Sequence, residues 1–133
     1  MTFDPVTRAA HYNDGPIEVI HLSRRLCGPL AQIVQYVARA HLKGDEMRDL
    51  RKALFWTDDL ISTMAREPVK LACMAKPDFS GAEFTRQMSG DRGRIVRRAM
   101  EAAWSGSNFL TKWELRHMRD DIAAEIARME GEA

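Results

Sequence analysis

Three long stretches of the sequence carry apolar side chains at every third or fourth position, and this spacing constrains the fold more than any other feature. In the first stretch the apolar residues are Leu30, Ile33, Val34, Val37, Ala38 and Leu42. Similar spacing recurs at 47–61 and at 109–126. A repeat of about 3.6 residues puts such side chains on one face of a helix, whereas a strand needs an alternating pattern. No stretch alternates for long, so the sequence predicts an all-α protein.

Glycine, proline and capping residues divide the sequence into about six predicted helices, which form a small bundle. Proline suits the first turn of a helix, and glycine adopts the left-handed conformation that follows a last turn. Serine and aspartate accept hydrogen bonds from the first amides of a helix. Helices are expected at 17–26, 29–42, 46–65, from the Ser80–Glu83 capping box onward, at 95–104 and at 109–129, with two further turns at 69–75.

Turn-forming residues and prolines predict how the chain is organised. The run Asn13–Pro16 is typical of turns and indicates an irregular arm over residues 1–16. Farther along, Pro68 and Pro77 bracket a break between the helices. We expect helical regions at 1–66 and 80–133, joined by a connector at 67–79 and packed either as one domain or into an oligomer.

The charge balance bears on the partners of the chain. Lysine and arginine number 20 against 19 aspartates and glutamates, which leaves a formal net charge of +1. Because a binder of bulk polyanions carries a large positive excess, nucleic acid is not an expected partner. The sequence shows no apolar stretch of membrane-spanning length and no apolar leader, so we expect a protein of the cytoplasm without membrane contact.

The two cysteines and the absent motifs exclude several common kinds of site. Cys27 and Cys73 are far apart and form no Cys-x-x-Cys pair, so we expect reduced thiols and neither a disulfide scaffold nor a cysteine zinc site. The sequence also lacks the glycine-rich phosphate loops, the Gly-x-Ser-x-Gly motif and the His-Glu-x-x-His motif. A role in handling nucleotides would therefore depend on a less common arrangement.

Two successive helices carry aromatic and charged residues at matching spacings. They are Tyr36, Arg39 and Lys43 before Gly44, and Asp49, Lys52 and Trp56 after it. If the helices fold back as a hairpin, the two faces meet, with rings that suit a stacked base and cations that suit phosphate. The alternative is that the rings border the core and the charges are solvated, as on many amphipathic helices.

An ordered set of short motifs carries a family resemblance over about residues 8–62. The motifs are His11-Tyr12, Ile17-Glu18-Val19-Ile20, Tyr36-x-x-Arg39-Ala40, Lys43, Asp49-Leu50-x-Lys52-Ala53 and the pair Phe55-Trp56. This order resembles a phage domain family of unknown function that includes the small nucleotide kinase of podophages. The resemblance implies a phage nucleotide-kinase-like region at 1–66, and it implies homo-oligomers, because the kinase members are oligomeric.

The resemblance also implies a mononucleotide pocket and roles for its residues. His11 and Asp49 would assist proton transfer. The ligand would be bound by Tyr12, Glu18, Tyr36, Arg39, Lys43, Lys52 and Trp56. A kinase would phosphorylate nucleoside monophosphates with ATP, and with magnesium if it needs a metal. From the residues alone, His11 could equally hold the arm in place by a hydrogen bond to Glu18.

The sequence departs from the family pattern within the second helix. Gln32 and Gln35 stand where the family usually has asparagine and lysine. A neutral amide can bind a base but does not replace a lysine at a phosphate. This departure favours a binding module over a kinase, with both glutamines as candidate ligand-binding residues.

A metal site is a further alternative. Glu46 and Asp49, with Asp58-Asp59 farther on, are similar to the carboxylates with which all-α nucleoside triphosphate pyrophosphohydrolases hold magnesium. The upstream glutamates of that pattern are absent, and an acid in the first turn of a helix is favoured by the helix dipole. The sequence therefore predicts no metal site.

Charges are unevenly distributed in the last third of the chain. Residues 86–98 contain five arginines against Asp91, whereas residues 120–133 contain five acids against Arg128. The basic segment predicts a secondary anion patch formed by Arg92, Arg94, Arg97 and Arg98. The alternative is that these arginines pair with the acidic segment, within one chain or between subunits.

Three functions remain open from the sequence. The chain could be a nucleotide-binding phage enzyme that phosphorylates nucleoside monophosphates. It could bind without turnover and sequester a nucleotide signal, cyclic nucleotides included. It could also be an effector that binds and inhibits a host defence or replication protein, with Trp104 and Trp113 on the working surface.

Overall fold

Six helices make up most of the described chain. The computed structural model describes residues 17–40, 45–88 and 91–132, with Glu132 described in its backbone alone, so the predicted arm at 1–16 lies outside this part. The helices are α1 (Val19–Ser23), α2 (Gly28–Arg39), α3 (Glu46–Met64), α4 (Gly81–Arg86), α5 (Arg92–Trp104) and α6 (Asn108–Glu132). The prediction of a small all-α bundle is confirmed.

Two helix pairs pack on each other around one core. Helix α2 packs against α3, and α5 packs against α6. The pairs then meet, since α6 also contacts α3 and α5 contacts α2. The largest fully buried side chains include Leu30, Ile33, Leu50, Leu60, Phe84, Ile95, Leu115, Met118 and Ile122. Because these residues come from α2 through α6, the apolar stripes read from the sequence line a shared interior.

The predicted helix starts are explained by local chemistry. Gly28 adopts a left-handed φ of 44° that disfavours other residues, and Pro29 follows within the first turn of α2. At α4, the Oγ of Ser80 accepts a hydrogen bond of 3.0 Å from the amide of Glu83. This is the serine half of the predicted capping box.

The segment at 69–75 is extended, so the prediction of two helical turns is wrong. Its backbone pairs with the turn between α1 and α2 through an isolated antiparallel bridge of Leu26 and Ala72. The amide of Cys27 donates to the Leu71 carbonyl at 2.9 Å, and the amide of Cys73 donates to the Arg25 carbonyl at 3.0 Å. These bonds satisfy backbone groups that a helix would satisfy internally.

Helix α5 begins at Arg92, three residues before the predicted start, because Gly93 lies inside the helix. A Cβ at Gly93 would come within 2.9 Å of the Thr85 carbonyl oxygen. Glycine therefore permits the close approach of α5 to α4, although it is a poor helix former in isolation.

We expect Gly93→Ala to lower the free energy of unfolding by about 1 kcal/mol, because overpacking outweighs the gain in helix propensity. Urea titration would measure the change. Gly131→Ala is the matched control, since a Cβ there meets nothing within 4 Å and should leave stability equal or higher. Equal stabilisation by both substitutions would contradict this account of Gly93.

Candidate functional site

The α2–α3 hairpin brings together four of the residues predicted from spacing. The guanidinium carbon of Arg39 lies 4.8 Å from the centroid of the Tyr36 ring, and the Nζ of Lys52 lies 5.5 Å from it. Arg39 also reaches Asp49, with 3.5 Å between Nη2 and Oδ1. A ring between two cations, one of them paired to an acid, is the centre of the candidate site.

Asp49 is the most constrained member of this group. Its side chain is 1 % exposed, and its Oδ2 has no hydrogen-bond partner within the described part of the chain. Arg39 is 17 % exposed and so provides a mostly buried counter-charge. Because a buried carboxylate is costly without a partner, the Arg39–Asp49 pair joins α2 to α3 with a defined geometry.

An open cleft of about 600 Å³ runs along the first half of α3. Its lining residues are Asp45, Glu46, Met47, Arg48, Arg51, Lys52, Phe55 and Trp56. The rings of Phe55 and Trp56 meet edge to face with centroids 5.3 Å apart, and Phe55 is 63 % exposed. The volume lies within the range of small-molecule sites. Since Lys52 belongs both to the cleft and to the Tyr36 group, the two features are continuous.

Arg92 supports the site from outside the hairpin. It is 6 % exposed, and its Nη1 donates to the carbonyl oxygens of Ala38 at 2.8 Å and of Val37 at 3.4 Å. These carbonyls belong to the last turn of α2, and the carbonyl of Val37 also accepts a bond of 3.4 Å from the amide of Ala40. The guanidinium of α5 therefore caps the end of the helix that carries Arg39.

An acid of α6, Glu125, lies close enough to Arg92 to feel its charge. A hydrogen bond from Arg128 lowers the pKa of Glu125, burial opposes this, and the charge of Arg92 adds a smaller lowering. Arg92 thus lies between the end of α2 and a carboxylate of α6. A buried guanidinium needs such partners on more than one side.

The remaining residues of the predicted pocket are not joined to this group by the described contacts. Glu18 lies before α1 and contacts His21 at 3.5 Å. The amide of Gln35 lies 3.4 Å from the Oγ of Ser23, and Gln32 is exposed on α2. His11, Tyr12 and Lys43 lie outside the described residues.

The predicted anion patch divides into residues of different surroundings. Arg92 is buried beneath α2, where it donates to the carbonyl of Ala38, so it does not share the surface of the other three. Arg98 donates to Asp121 at 2.7 Å and to Glu114 at 3.3 Å, and Arg94 lies 3.6 Å from Asp121. These pairs are the within-chain alternative.

Arg94, Arg97 and Arg98 still line a cavity of about 330 Å³, together with Glu101 and Glu114. Mixed charges of this kind neutralise one another at close range. An anion would therefore compete there with carboxylates already in place, which makes the cleft on α3 the stronger candidate.

The described part of the chain contains neither a cluster of metal-binding side chains nor a membrane-spanning helix. No group of three histidine, cysteine or acidic side chains converges there on a common point. None of the described helices combines the length and the apolar character needed to cross a bilayer.

Sequence reasoning missed Arg48, Arg51 and Phe55 as lining residues of the cleft. The spacing of Arg48 and Phe55 from Lys52 was a usable signal, because residues three or four apart share a helical face, and Arg51 has that spacing from both Arg48 and Phe55. Arg51 additionally pairs with Glu130 of α6 at 3.0 Å, so it borders the cleft while contacting the last helix.

Comparison with protein families identifies the part of the chain that contains this site. Residues 6–58 match the family model of a protein of unknown function, DUF3310. The matched range includes α1, α2 and most of α3, and it agrees with the resemblance read over about residues 8–62. No curated protein and no solved structure matches the chain in the other two comparisons.

Proposed function

We propose that this chain is a phage-type protein that binds a nucleotide, or a nucleotide-derived small molecule, in the cleft along α3. One observation carries the proposal: a cleft of about 600 Å³ combines the exposed Phe55 ring and the half-buried Trp56 ring with cations, and it adjoins the Tyr36–Arg39–Asp49–Lys52 group. Aromatic faces stack on bases, and guanidinium or ammonium groups bind phosphate. The match over residues 6–58 supports a site in this part of the chain.

The order of the residues along the cleft supports one orientation of a nucleotide. Phe55 and Trp56 lie at one end of the lining segment and offer ring surface to a base. Lys52 and Arg48 lie about one and two turns earlier on α3 and offer charge to phosphates. Because the separation of rings and cations along the helix is fixed, a mononucleotide fits this order better than an isolated phosphate does.

Turnover is the enzymatic form of the proposal. A kinase would transfer the γ-phosphoryl group of ATP to a nucleoside monophosphate, giving ADP and a nucleoside diphosphate. Lys52 and Arg48 would hold phosphate oxygens in place, and magnesium would neutralise charge on the nucleotide. His11 and Asp49 are the candidates for proton transfer, by resemblance.

Binding without turnover is the second candidate, and the burial of Asp49 favours it. At 1 % exposure and beside Arg39, this carboxylate is arranged as a structural pair rather than as a base in contact with substrate. A protein that sequesters a nucleotide signal needs the cleft and no catalytic acid. Both candidates place the ligand in the same cleft.

The resemblance also supports a setting for this function. We propose a homo-oligomer in the cytoplasm of an infected or prophage-carrying bacterium, with anti-defence activity or inhibition of a host protein as the alternative role. On α6 the side chains of Phe109, Leu110 and Trp113 are 74, 46 and 43 % exposed. Exposed apolar residues of this size favour a protein partner for that alternative.

Calorimetry with nucleoside mono-, di- and triphosphates and cyclic nucleotides tests binding, after a thermal-shift screen has selected the ligand. We expect Lys52→Met to weaken binding about tenfold, because it removes one charge-assisted contact of about 1.4 kcal/mol. Methionine keeps the aliphatic stem near Tyr36. Lys76→Met, on the exposed connector, is the matched control and should bind as the unmodified protein does.

Fluorescence gives an independent test of the base position. A base stacked on Trp56 should quench its emission, and Trp56→Phe should abolish the quenching while Trp113→Phe preserves it. If no nucleotide shifts the melting temperature, or if Lys52→Met binds unchanged, the proposed site is refuted. Formation of nucleoside diphosphate that Lys52→Met reduces supports the kinase, and binding without product supports sequestration.

A further inference from the structure

The connector brings together two cysteines that are 46 residues apart in the sequence. Cys27 lies just before α2, and Cys73 lies in the extended segment that pairs with the turn between α1 and α2. The bridge of Leu26 and Ala72 aligns the two segments in opposite directions. Because side chains alternate between the faces of extended chain, both cysteines lie on the face opposite Leu26 and Ala72.

The contacts around the bridge hold the thiols close to each other. The amide of Cys27 donates to Leu71 and the amide of Cys73 donates to Arg25, which fixes the register. The Sγ of Cys73 lies 3.5 Å from the Arg24 carbonyl oxygen and 3.6 Å from that of Leu26, the neighbour of Cys27. In this register Cys27 lies opposite Leu71 and Cys73 lies opposite Arg25, so the two cysteines are diagonal neighbours on one face of the paired segments.

The two thiols differ in access to solvent. Cys73 is exposed, whereas Cys27 is half-buried at the start of α2. Burial and the contact with Cys73 raise the pKa of Cys27, and the charge of Lys70 lowers it to a smaller extent. Cys73 is therefore the thiol that an oxidant reaches first, and Cys27 is placed to react second.

We propose that Cys27 and Cys73 form a modification site, at which a low-molecular-weight disulfide such as glutathione disulfide converts them into an intramolecular disulfide. The Cys73 thiolate attacks one sulfur of glutathione disulfide, and a glutathione thiolate leaves. Cys27 then gives its proton to solvent, and its thiolate attacks the Cys73 sulfur and releases the second glutathione. Two protein thiols are oxidised, and one glutathione disulfide is reduced to two glutathione thiols.

The bond would fasten the connector to the start of α2. At present the extended segment is held there by backbone hydrogen bonds and by the burial of Leu71. A crosslink between residues this far apart in sequence restricts the unfolded chain strongly and so raises the melting temperature. This inference is independent of the nucleotide proposal, because neither cysteine lines the cleft on α3.

The test treats the full folded chain with glutathione disulfide and measures its intact mass and its non-reduced peptide map. We expect the loss of two hydrogen atoms, a peptide that joins Cys27 to Cys73, and a melting temperature several degrees higher until dithiothreitol is added. Cys27→Ser should instead retain one glutathionyl group on Cys73, because the second step is blocked.

Cys73→Ser is the matched control and should react much more slowly, since its remaining thiol is half-buried. The proposal is overturned if the unmodified chain retains glutathione as Cys27→Ser does, if it links to a second chain, or if it does not react. The peptide map of the unmodified protein decides the question even if either serine variant fails to fold.

Discussion

Replacing Arg39 with alanine is expected to lower the free energy of unfolding by about 3 kcal/mol, a large loss for one side chain. The loss is large because the substitution leaves Asp49, the partner of Arg39, buried without its counter-charge. Asp49 is 1 % exposed, and its second carboxylate oxygen already has no hydrogen-bond partner in the described chain. Without the guanidinium, folding would bury a charge with nothing beside it to balance it. Urea or guanidinium titrations, followed by circular dichroism, would measure the loss.

A double substitution separates this pair from general disturbance of the helices. Arg39→Ala with Asp49→Ala removes both charges, so we expect it to be more stable than the sum of the single losses predicts, by about 1–3 kcal/mol. Arg51→Ala serves as the matched control, because it breaks an exposed pair with Glu130 and should cost less than about 1 kcal/mol. Strictly additive losses would show that Arg39 and Asp49 act independently.

The Arg39 prediction changes how the nucleotide site is tested. A loss of binding in Arg39→Ala would follow from a distorted hairpin as readily as from a lost phosphate contact. Lys52 does not have this difficulty, because its contact with Tyr36 is a cation over a ring and leaves no buried charge behind. Removing Lys52 therefore reports on the ligand, whereas removing Arg39 reports first on the fold.

Arg92→Met is expected to lower the free energy of unfolding by about 2–3 kcal/mol, although it replaces only one of the arginines in a basic segment. Methionine approximately fills the space but donates nothing to the carbonyls of Val37 and Ala38. Hydrogen exchange should also quicken for the amides of the last turn of α2, because that turn loses its donor from α5.

Two variants distinguish the cap from the charge. Arg94 lies two residues farther on, in an exposed pair with Asp91 and a longer, partly buried contact with Asp121, and Arg94→Met should change stability by less than about 1 kcal/mol. Arg92→Lys keeps the charge but lacks the planar fork, so we expect it to recover part of the loss. If Arg92→Met matches Arg94→Met in stability, the cap contributes little.

The sequence predicted the helices well because their determinants are local. The apolar stripes at 30–42 and 47–61, together with Pro29, indicate where α2 and α3 lie, and the spacing of Tyr36, Arg39, Asp49 and Lys52 brings them together if the two helices fold back on each other. Asp45 precedes α3 as predicted, but its side chain makes no capping hydrogen bond. These features depend on residues three or four positions apart, within reach of the pattern. The hairpin itself was a condition of that prediction, and the packing of α2 on α3 in the structure meets it.

What the sequence could not give depends on contacts between distant segments. The sequence does not distinguish Arg92 from the four other arginines at 86–98, because its burial depends on the packing of α5 on α2. Nothing in the sequence relates Cys27 to Cys73, because the two cysteines are brought together by the pairing of the connector with the turn before α2. The composition of the segment at 69–75 allows a helix, which is why the sequence predicts two helical turns there. Its backbone instead forms hydrogen bonds with the distant turn before α2.

The guanidinium that ends α2 comes from 54 residues downstream, well beyond the range that matches a family. Residues 6–58 therefore do not make all the contacts of their own helices in this protein, because a side chain from the second half of the chain binds the last turn of α2. A protein that shared only this segment would lack the guanidinium that donates to Ala38 here. Deleting residues 80–133 would accordingly damage the first half as well, and a loss of function after that deletion would not assign the function to the second.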